Sequence, residues 1–186
     1  MACGFRNAKP VTDFLECDRT VLLIDGSHVD RLRSKLGRAL DLEKLREVFR
    51  TPDEPASVFY YRDARDINEH GRLANFFCWL ERHGMQIRGS HDFAETWYQR
   101  ERYGSNLIHL AVDALDAARD GAALVFVAGD AKLIPLFRRL EEMNVSVTLI
   151  SSLAVPSSIA PAPPLVALAE EFIDLNEDQR FFLVDD

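Results

Sequence analysis

Aspartates end or closely follow three short apolar segments of the chain. Asp25 ends TVLLID, Asp63 follows VFYYR by one position, and Asp130 follows ALVFVAG. If these segments are parallel strands, their carboxyl ends meet at one edge of the sheet, where open parallel sheets bind ligands. Mg²⁺ and Mn²⁺ prefer oxygen ligands and keep several waters, so a few converging carboxylates can hold one of them. Such a metal would activate water and stabilise charge on a phosphodiester.

An aspartate after a strand also commonly caps a helix or forms a turn, so each acid alone indicates little. Two neighbouring glycines strengthen the functional interpretation. Gly26 follows Asp25 and Gly129 precedes Asp130, and glycine lets the backbone pass close to a ligand. The chain contains neither GxGxxG nor GxxxxGK[ST], so no motif supports a dinucleotide site or a phosphate loop.

The elements that would position these acids alternate along the chain. Short apolar segments predict strands, and segments with apolar residues at helical spacing predict helices. Strands that are apolar on both faces and alternate with helices predict a three-layer α/β/α sandwich around a mostly parallel sheet, of the PIN-like or Rossmannoid kind. The predicted strands are 20–25, 56–62, 85–90, 123–129 and 145–151, and the predicted helices are roughly 29–37, 41–50, 67–83, 106–119 and 131–143.

The remaining segments are irregular. Residues 91–103 are polar with interleaved aromatics, which predicts a long loop or flap beside the site. The proline-rich stretch 155–164 is typical of an extended connector. LVALAEEFIDL after it predicts a short helix and a last edge strand, and FFLVDD at the end is expected to dock on the body or extend a sheet edge.

Composition limits the functional classes. With 186 residues and 47% apolar content, the chain fits one domain. Its net charge of -8 argues against wrapping by nucleic acid, but leaves room for a local basic face at 31–38 or 138–139. Three cysteines without metal or disulfide spacing predict reduced thiols in a cytosolic protein and no zinc site. No signal peptide or membrane span is evident, so we expect a soluble cytoplasmic protein without a membrane partner.

One helix is unusually rich in large apolar residues. NFFCWLERHG (75–84) carries Phe76, Phe77, Trp79 and Leu80. Packing against both the sheet and a neighbouring helix explains this run, and a homodimer contact is the alternative.

The order of several segments resembles the NYN domain of the LabA-like (DUF88) type, within the PIN-like nuclease superfamily. The resemblance covers residues 19–175, leaving 1–18 as an N-terminal extension and 176–186 as a C-terminal tail. It implies an α/β/α sandwich and a metal-dependent ribonuclease that acts on RNA, which we expect to be single-stranded. The segments that carry it are TVLLIDGSHV, DLEKL, VFYYRD, YGSNLIHLAVDAL, LVFVAGDAKLIPLFRRLEEMNVSVTLIS and FIDL.

Three polar positions depart from the family pattern. Asp25, Asp113 and Asp130 match it. His28 replaces an asparagine, Asn106 replaces an acid at the start of its helix, and Lys132 replaces the second acid of a GDxD motif.

The resemblance, together with the positions at the strand ends, implies roles for the matching and the altered positions. Asp25 and Asp130 would hold Mg²⁺ or Mn²⁺, Asn106 would join them in the catalytic group, and Asp113 would support the site from behind. The groups expected to bind substrate are Ser27, His28, Arg62, Asp63 and Lys132.

Two functional hypotheses remain open. The first is a ribonuclease or phosphodiesterase with a partly degraded acidic site. The second is a weak or inactive relative that binds RNA, a nucleotide or a protein partner, with Lys132 in place of a metal that has been lost. An ammonium about 4 Å from a divalent cation repels it, and one unit pair at that distance is worth about 4 kcal/mol at an effective dielectric near 20.

Overall fold

The computed structural model describes residues 18–63, 67–89 and 104–183. Its described strands form one six-stranded sheet in the order β3-β2-β1-β4-β5-β6, and each neighbouring pair is parallel. The predicted parallel sheet is therefore confirmed. The strands are β1 (Thr20–Asp25), β2 (Ser57–Tyr61), β3 (Gln86–Arg88), β4 (Ala123–Val127), β5 (Val147–Ser151) and β6 (Glu171–Asp174).

Helices cover both faces of this sheet, which confirms the α/β/α sandwich. Leu32, Leu45 and Leu80, from α1, α2 and α3, pack in one core cluster, whereas residues of α4, α5 and α6 pack in a second cluster on the other face. The helices are α1 (Gly26–Leu36), α2 (Leu42–Val48), α3 (Ile67–Arg82), α4 (Ser105–Arg119), α5 (Ile134–Glu142) and α6 (Pro163–Leu168).

The central strand β1 shows why the sequence forms a sheet with two covered faces. All its residues are buried. Leu22 and Ile24 belong to the first core cluster, and Val21 and Leu23 belong to the second. Because side chains alternate across a strand, an uninterrupted apolar segment supplies both cores at once.

The direction in which the chain adds strands changes between β1 and β4. From β1 the sheet grows outward through β2 and β3, and after α4 it resumes with β4 on the other side of β1. Ile24 of β1 pairs with Val127 of β4. The carboxyl ends of these two strands therefore form the switch point at which open α/β sheets bind ligands.

Several element boundaries differ from the predicted ones. α1 begins at Gly26 rather than near 29, because the carboxylate of Asp25 accepts a hydrogen bond from the backbone N–H of Ser27 and caps the helix. The predicted helix 131–143 is a 3-10 turn, Ala131–Leu133, followed by α5.

The C-terminal segments largely follow the sequence predictions. The helix and edge strand expected after the proline-rich stretch are α6 and β6. Phe181 is buried and its ring stacks on that of Phe49, 6.1 Å between centroids. The described part of FFLVDD therefore docks on the body through its aromatic residues, and residues 184–186 lie outside the described residues. The expected flap at 91–103 and most of the N-terminal extension lie outside the described residues.

The aromatic run of α3 packs within the molecule. Phe77 and Leu80 are buried in the first core cluster, and Phe76 and Trp79 pack against it while partly buried. This accounts for the run by core packing, and a homodimer stays a prediction. None of the helices in the described part of the chain has the length and apolar character needed to cross a membrane.

Candidate functional site

Asp25 lies at the centre of the switch point, with its side chain almost entirely buried. It is 2% exposed, and its Oδ1 accepts hydrogen bonds from the backbone N–H of Ser27 at 3.0 Å and from Nδ2 of Asn106 at 3.1 Å. Burial raises the pKa of this carboxyl, against the lowering effects of a hydrogen bond from the His28 backbone and of the Arg31 charge. The negative charge of Asp130 also raises the pKa of Asp25, which indicates that the two acids share one electrostatic environment.

Asp63 holds Asn106 in place. One oxygen of Asp63, Oδ2, accepts hydrogen bonds from the backbone N–H of Asn106 at 2.9 Å and from the hydroxyl of Ser105 at 2.5 Å. These contacts satisfy exposed donors at the start of α4. The sequence placed Asp63 among the substrate-binding groups, whereas these two contacts tie the end of β2 to the helix that presents Asn106 to Asp25.

Asp130 pairs with Lys132. Its Oδ1 accepts from the Lys132 backbone N–H at 2.9 Å, and the ammonium Nζ lies 3.2 Å from Oδ2 and 3.4 Å from Oδ1. Partial burial on its own would raise the pKa of Asp130, but the two hydrogen bonds from Lys132 and the charges of Lys132 and Arg31 together lower it. Asp130 is therefore an ionised carboxylate in contact with a cation.

His28 is a core residue. Its side chain has 0% exposure, and Nε2 hydrogen-bonds with the hydroxyl of Ser151 at 2.9 Å. Nδ1 has no hydrogen-bond partner within the described residues. Burial lowers the pKa of His28 to about 4, and the positive charge of Arg31 acts in the same direction. The ring is therefore neutral near pH 7 and carries no charge for a substrate phosphate.

The two glycines beside the acids make room for side chains. A Cβ on Gly129 would lie 2.4 Å from the His28 ring, and a Cβ on Gly26 would lie 2.5 Å from the ring of Tyr60. The backbone at both positions thus approaches a packed aromatic group, where the sequence interpretation expected a ligand.

Arg62 and Ser27, both expected to bind substrate, belong to an internal network. The guanidinium of Arg62 pairs with Asp30 at 2.9 Å and with Glu69 at 3.0 Å, and it donates to the Ser27 hydroxyl at 3.0 Å. Its side chain is 13% exposed. The network joins α1, α3 and the end of β2. The contacts of Arg62 therefore hold these three elements together.

Asp113 lies nearly two turns along α4 from Asn106. Its Oδ2 accepts a hydrogen bond from the Tyr61 hydroxyl at 2.8 Å and lies 3.4 Å from Nε of Arg88. Burial raises the pKa of Tyr61, and its hydrogen bond to Asp113 raises it further. Asp113 links α4 to β2 and β3, an arrangement that fits the supporting role implied for it.

Arg31 is a site residue that the sequence interpretation included in the candidate basic face 31–38 but did not place beside the acids. Its side chain is exposed, and Nε donates to the backbone carbonyl of Ser27 at 3.2 Å. Its charge influences the pKa values of Asp25, His28 and Asp130. The signal in the sequence was the run of basic residues in 31–38.

Comparison with known proteins identifies the family. A model of the NYN domain matches residues 19–176. The chain belongs to the NYN domain family. A crystal structure of a protein of unknown function from Vibrio parahaemolyticus is similar in fold, with a TM-score of 0.64 and 16% identity, covering 90% of this chain and 98% of that chain. No curated protein matches the chain significantly.

NYN domains are PIN-like nucleases, and family membership supports a ribonuclease-type function in general terms. Nucleases of this kind generally use a divalent metal. To bind such an ion, this NYN domain would have to supply suitable oxygen ligands at the switch point.

Within the described residues, the donor set at the switch point does not fit a divalent metal. In residues 18–63, 67–89 and 104–183, no group of three or more His, Cys, Asp or Glu side chains is placed to hold a metal. An ammonium contacts Asp130, and Asn106 directs an N–H group at Asp25. Magnesium needs oxygen ligands with negative charge, whereas here one carboxylate faces a cation and the other faces an amide donor.

Proposed function

We propose that this protein is an NYN-domain RNA-binding protein in which metal-dependent cleavage is weak or absent. The observation that carries the proposal is the contact between the Lys132 ammonium and the Asp130 carboxylate at 3.2 Å. It puts a positive charge where the family resemblance expects a second acid. The LabA-like subgroup and the domain limits 19–175 belong to the same proposal.

Electrostatics at Asp25 act in the same direction. Burial raises the pKa of this carboxyl, so its surroundings favour the ionised form less than water does. The nearby charge of Arg31 favours the ionised form of Asp25, but also repels a metal. A divalent ion at this position therefore meets two exposed cations, Arg31 and Lys132, beside the buried Asp25 and an Asp130 that is already paired with an ammonium.

The same cations suit a phosphodiester. Arg31 and Lys132 are both exposed, the charges of both act on Asp130, and their N–H groups can donate charge-assisted hydrogen bonds to phosphate oxygens. RNA binding then requires no bridging metal. Family membership points to RNA as the nucleic acid, and we infer a single strand.

A metal-dependent ribonuclease is the second candidate, and one observation favours it. Asp25 and Asp130 still follow adjacent parallel strands, with Asn106 in contact with Asp25. The Lys132 side chain is 65% exposed, and ion pairs of this kind are worth about 0 to 1 kcal/mol. A high concentration of Mg²⁺ or Mn²⁺ would then compete with the ammonium, with Asp25, Asp130 and Asn106 as the residues that hold the ion.

Binding and cleavage of a labelled single-stranded RNA separate the two candidates. Anisotropy should report the same dissociation constant in EDTA and in millimolar Mn²⁺, and a denaturing gel should show no product that depends on Asp25. Asp25→Asn is the matched control, because it removes the charge and preserves the size of the side chain. Cleavage in Mn²⁺ that Asp25→Asn abolishes would establish the nuclease instead, and absence of RNA binding in both buffers would refute the proposal.

A further inference from the structure

α1 carries three exposed cations, Arg31, Arg33 and Lys35, which we call the α1 basic face. The helix has one acid, Asp30, and its carboxylate pairs with Arg62 at 2.9 Å. In the part of the chain that the structure describes, none of the three cations forms an ion pair with a carboxylate. Within the described residues, the charges of Arg31 and Arg33 act on nearby acids only without a direct ion pair, so the face keeps donors that a ligand can reach.

Many other surface cations are paired. The chain has 30 acidic and 22 basic residues, and exposed cations elsewhere form ion pairs such as Lys44–Glu47, Arg119–Asp116, Arg139–Glu142 and Arg180–Asp178. Four other exposed arginines lack such a pair within the described residues. They are spread over α3, α5 and the segment after α2: Arg50, Arg72, Arg82 and Arg138. A group of three on one helix thus stands out in an acidic protein.

The α1 basic face is continuous with the candidate site. Arg31 donates to the carbonyl of Ser27 at 3.2 Å, and its charge acts on both Asp25 and Asp130. Lys35 is four residues further along the same side of the helix, about 6 Å away along the axis. Arg33 lies between them on the other flank of the exposed surface. The cations therefore lead away from the switch point along α1.

We propose that an RNA strand bound at the switch point continues along α1, with backbone phosphates on Arg31 and Lys35 and with Arg33 adding to the local positive potential. This inference rests on the proposed RNA-binding function and specifies the path of the strand. Contacts of this kind are to the phosphate backbone, so they add affinity without sequence preference and depend on salt. An acidic protein segment is the competing partner. RNA is favoured because the α1 basic face begins at Arg31, next to the switch point that is proposed to bind RNA.

The test uses the double variant Arg33→Gln/Lys35→Gln, which leaves Arg31 and the switch point intact. Its matched control is Arg82→Gln/Arg138→Gln, which removes the same charge from α3 and α5. Dissociation constants for a single-stranded RNA of about ten nucleotides are measured by anisotropy over a salt series. We expect the α1 variant to bind about tenfold more weakly than wild type. The slope of log affinity against log salt should also be lower by about 0.7 for each phosphate that the variant no longer neutralises.

The outcomes separate this inference from the proposed function. If both double variants lose affinity equally, net charge explains the effect and the α1 path is wrong. If wild type binds RNA and the α1 variant binds equally well, the path is wrong and the proposed function stands. If wild type does not bind RNA, while an acidic peptide such as polyglutamate binds and is weakened by the α1 variant, both the RNA partner and the proposed function are wrong. Thermal unfolding verifies that both variants fold, because Arg33 and Lys35 also interact favourably with the helix dipole.

Discussion

Lys132 changes the chemistry available to Asp130. The ammonium contacts both oxygens of the carboxylate, at 3.2 and 3.4 Å, so the two side chains together are close to neutral. Under the proposed function, the sign of the charge at this one residue position determines whether the end of β4 favours a cation or a phosphate.

Replacing this lysine with an acid should create metal affinity. In Lys132→Asp the ammonium is removed and a carboxylate is added beside Asp130, so Mn²⁺ should bind with a dissociation constant in the millimolar range or below. Lys132→Gln is the control, since it removes the cation without adding a charged ligand and should bind Mn²⁺ much more weakly. Calorimetry measures both, and a Lys132→Asp protein that gives no heat would show that the lysine is not the obstacle.

His28 should make stability depend on pH. Its pKa is lowered to about 4 in the folded protein, against about 6.5 when unfolded. Between these values the unfolded chain binds more protons at this residue than the folded chain does. The free energy of unfolding is therefore at its full value above about pH 6.5 and decreases as the pH falls toward 4. The slope approaches about 1.4 kcal/mol per pH unit, for a total of a few kcal/mol.

The measurement compares urea unfolding of wild type and His28→Gln at several pH values from 7 to 4.5. Asp25 and Asp130 titrate in both proteins and Arg31 remains charged in both, so the difference between the two curves isolates His28. Curves that stay parallel over this range would show that the pKa of His28 is the same in the folded and unfolded chain, so that burial does not lower it.

At the level of elements, α4 depends on a residue outside it. Asp63 follows β2 and accepts hydrogen bonds from the first turn of α4. Asp63→Ala should lower the free energy of unfolding by about 1 to 2 kcal/mol, because the donors at the helix start lose their acceptor.

Asp116→Ala is the control for this prediction, because it removes an acid of the same helix that forms an exposed pair with Arg119 and should cost less than about 0.5 kcal/mol. Chemical denaturation gives both values. Equal effects of the two substitutions would mean that Asp63 is not acting as a cap.

The chain as a whole was predictable because its pattern is consistent. β1 and β4 are apolar on both faces and are separated by helical segments, which is sufficient to predict parallel strands covered on two sides. Because parallel strands end at the same edge of a sheet, this topology also predicts that Asp25 and Asp130 lie near each other.

The interactions within that neighbourhood were not predictable from local pattern. Arg62 and Asp63 are adjacent in sequence, yet one joins Asp30 and Glu69 while the other caps α4. His28 is buried where Ser151, from β5, reaches its ring. These hydrogen-bond and ion-pair partners come from segments that are distant in sequence. The spacing of residues along one helix or strand does not predict which distant segments meet.

The central claim is that the NYN switch point of this molecule works with cations of the protein in place of a bound metal. A calorimetric titration of Mn²⁺ into the wild-type protein tests it most directly. The account predicts no saturable heat up to millimolar concentrations. Saturable binding at micromolar Mn²⁺ that disappears in Asp25→Ala would contradict it.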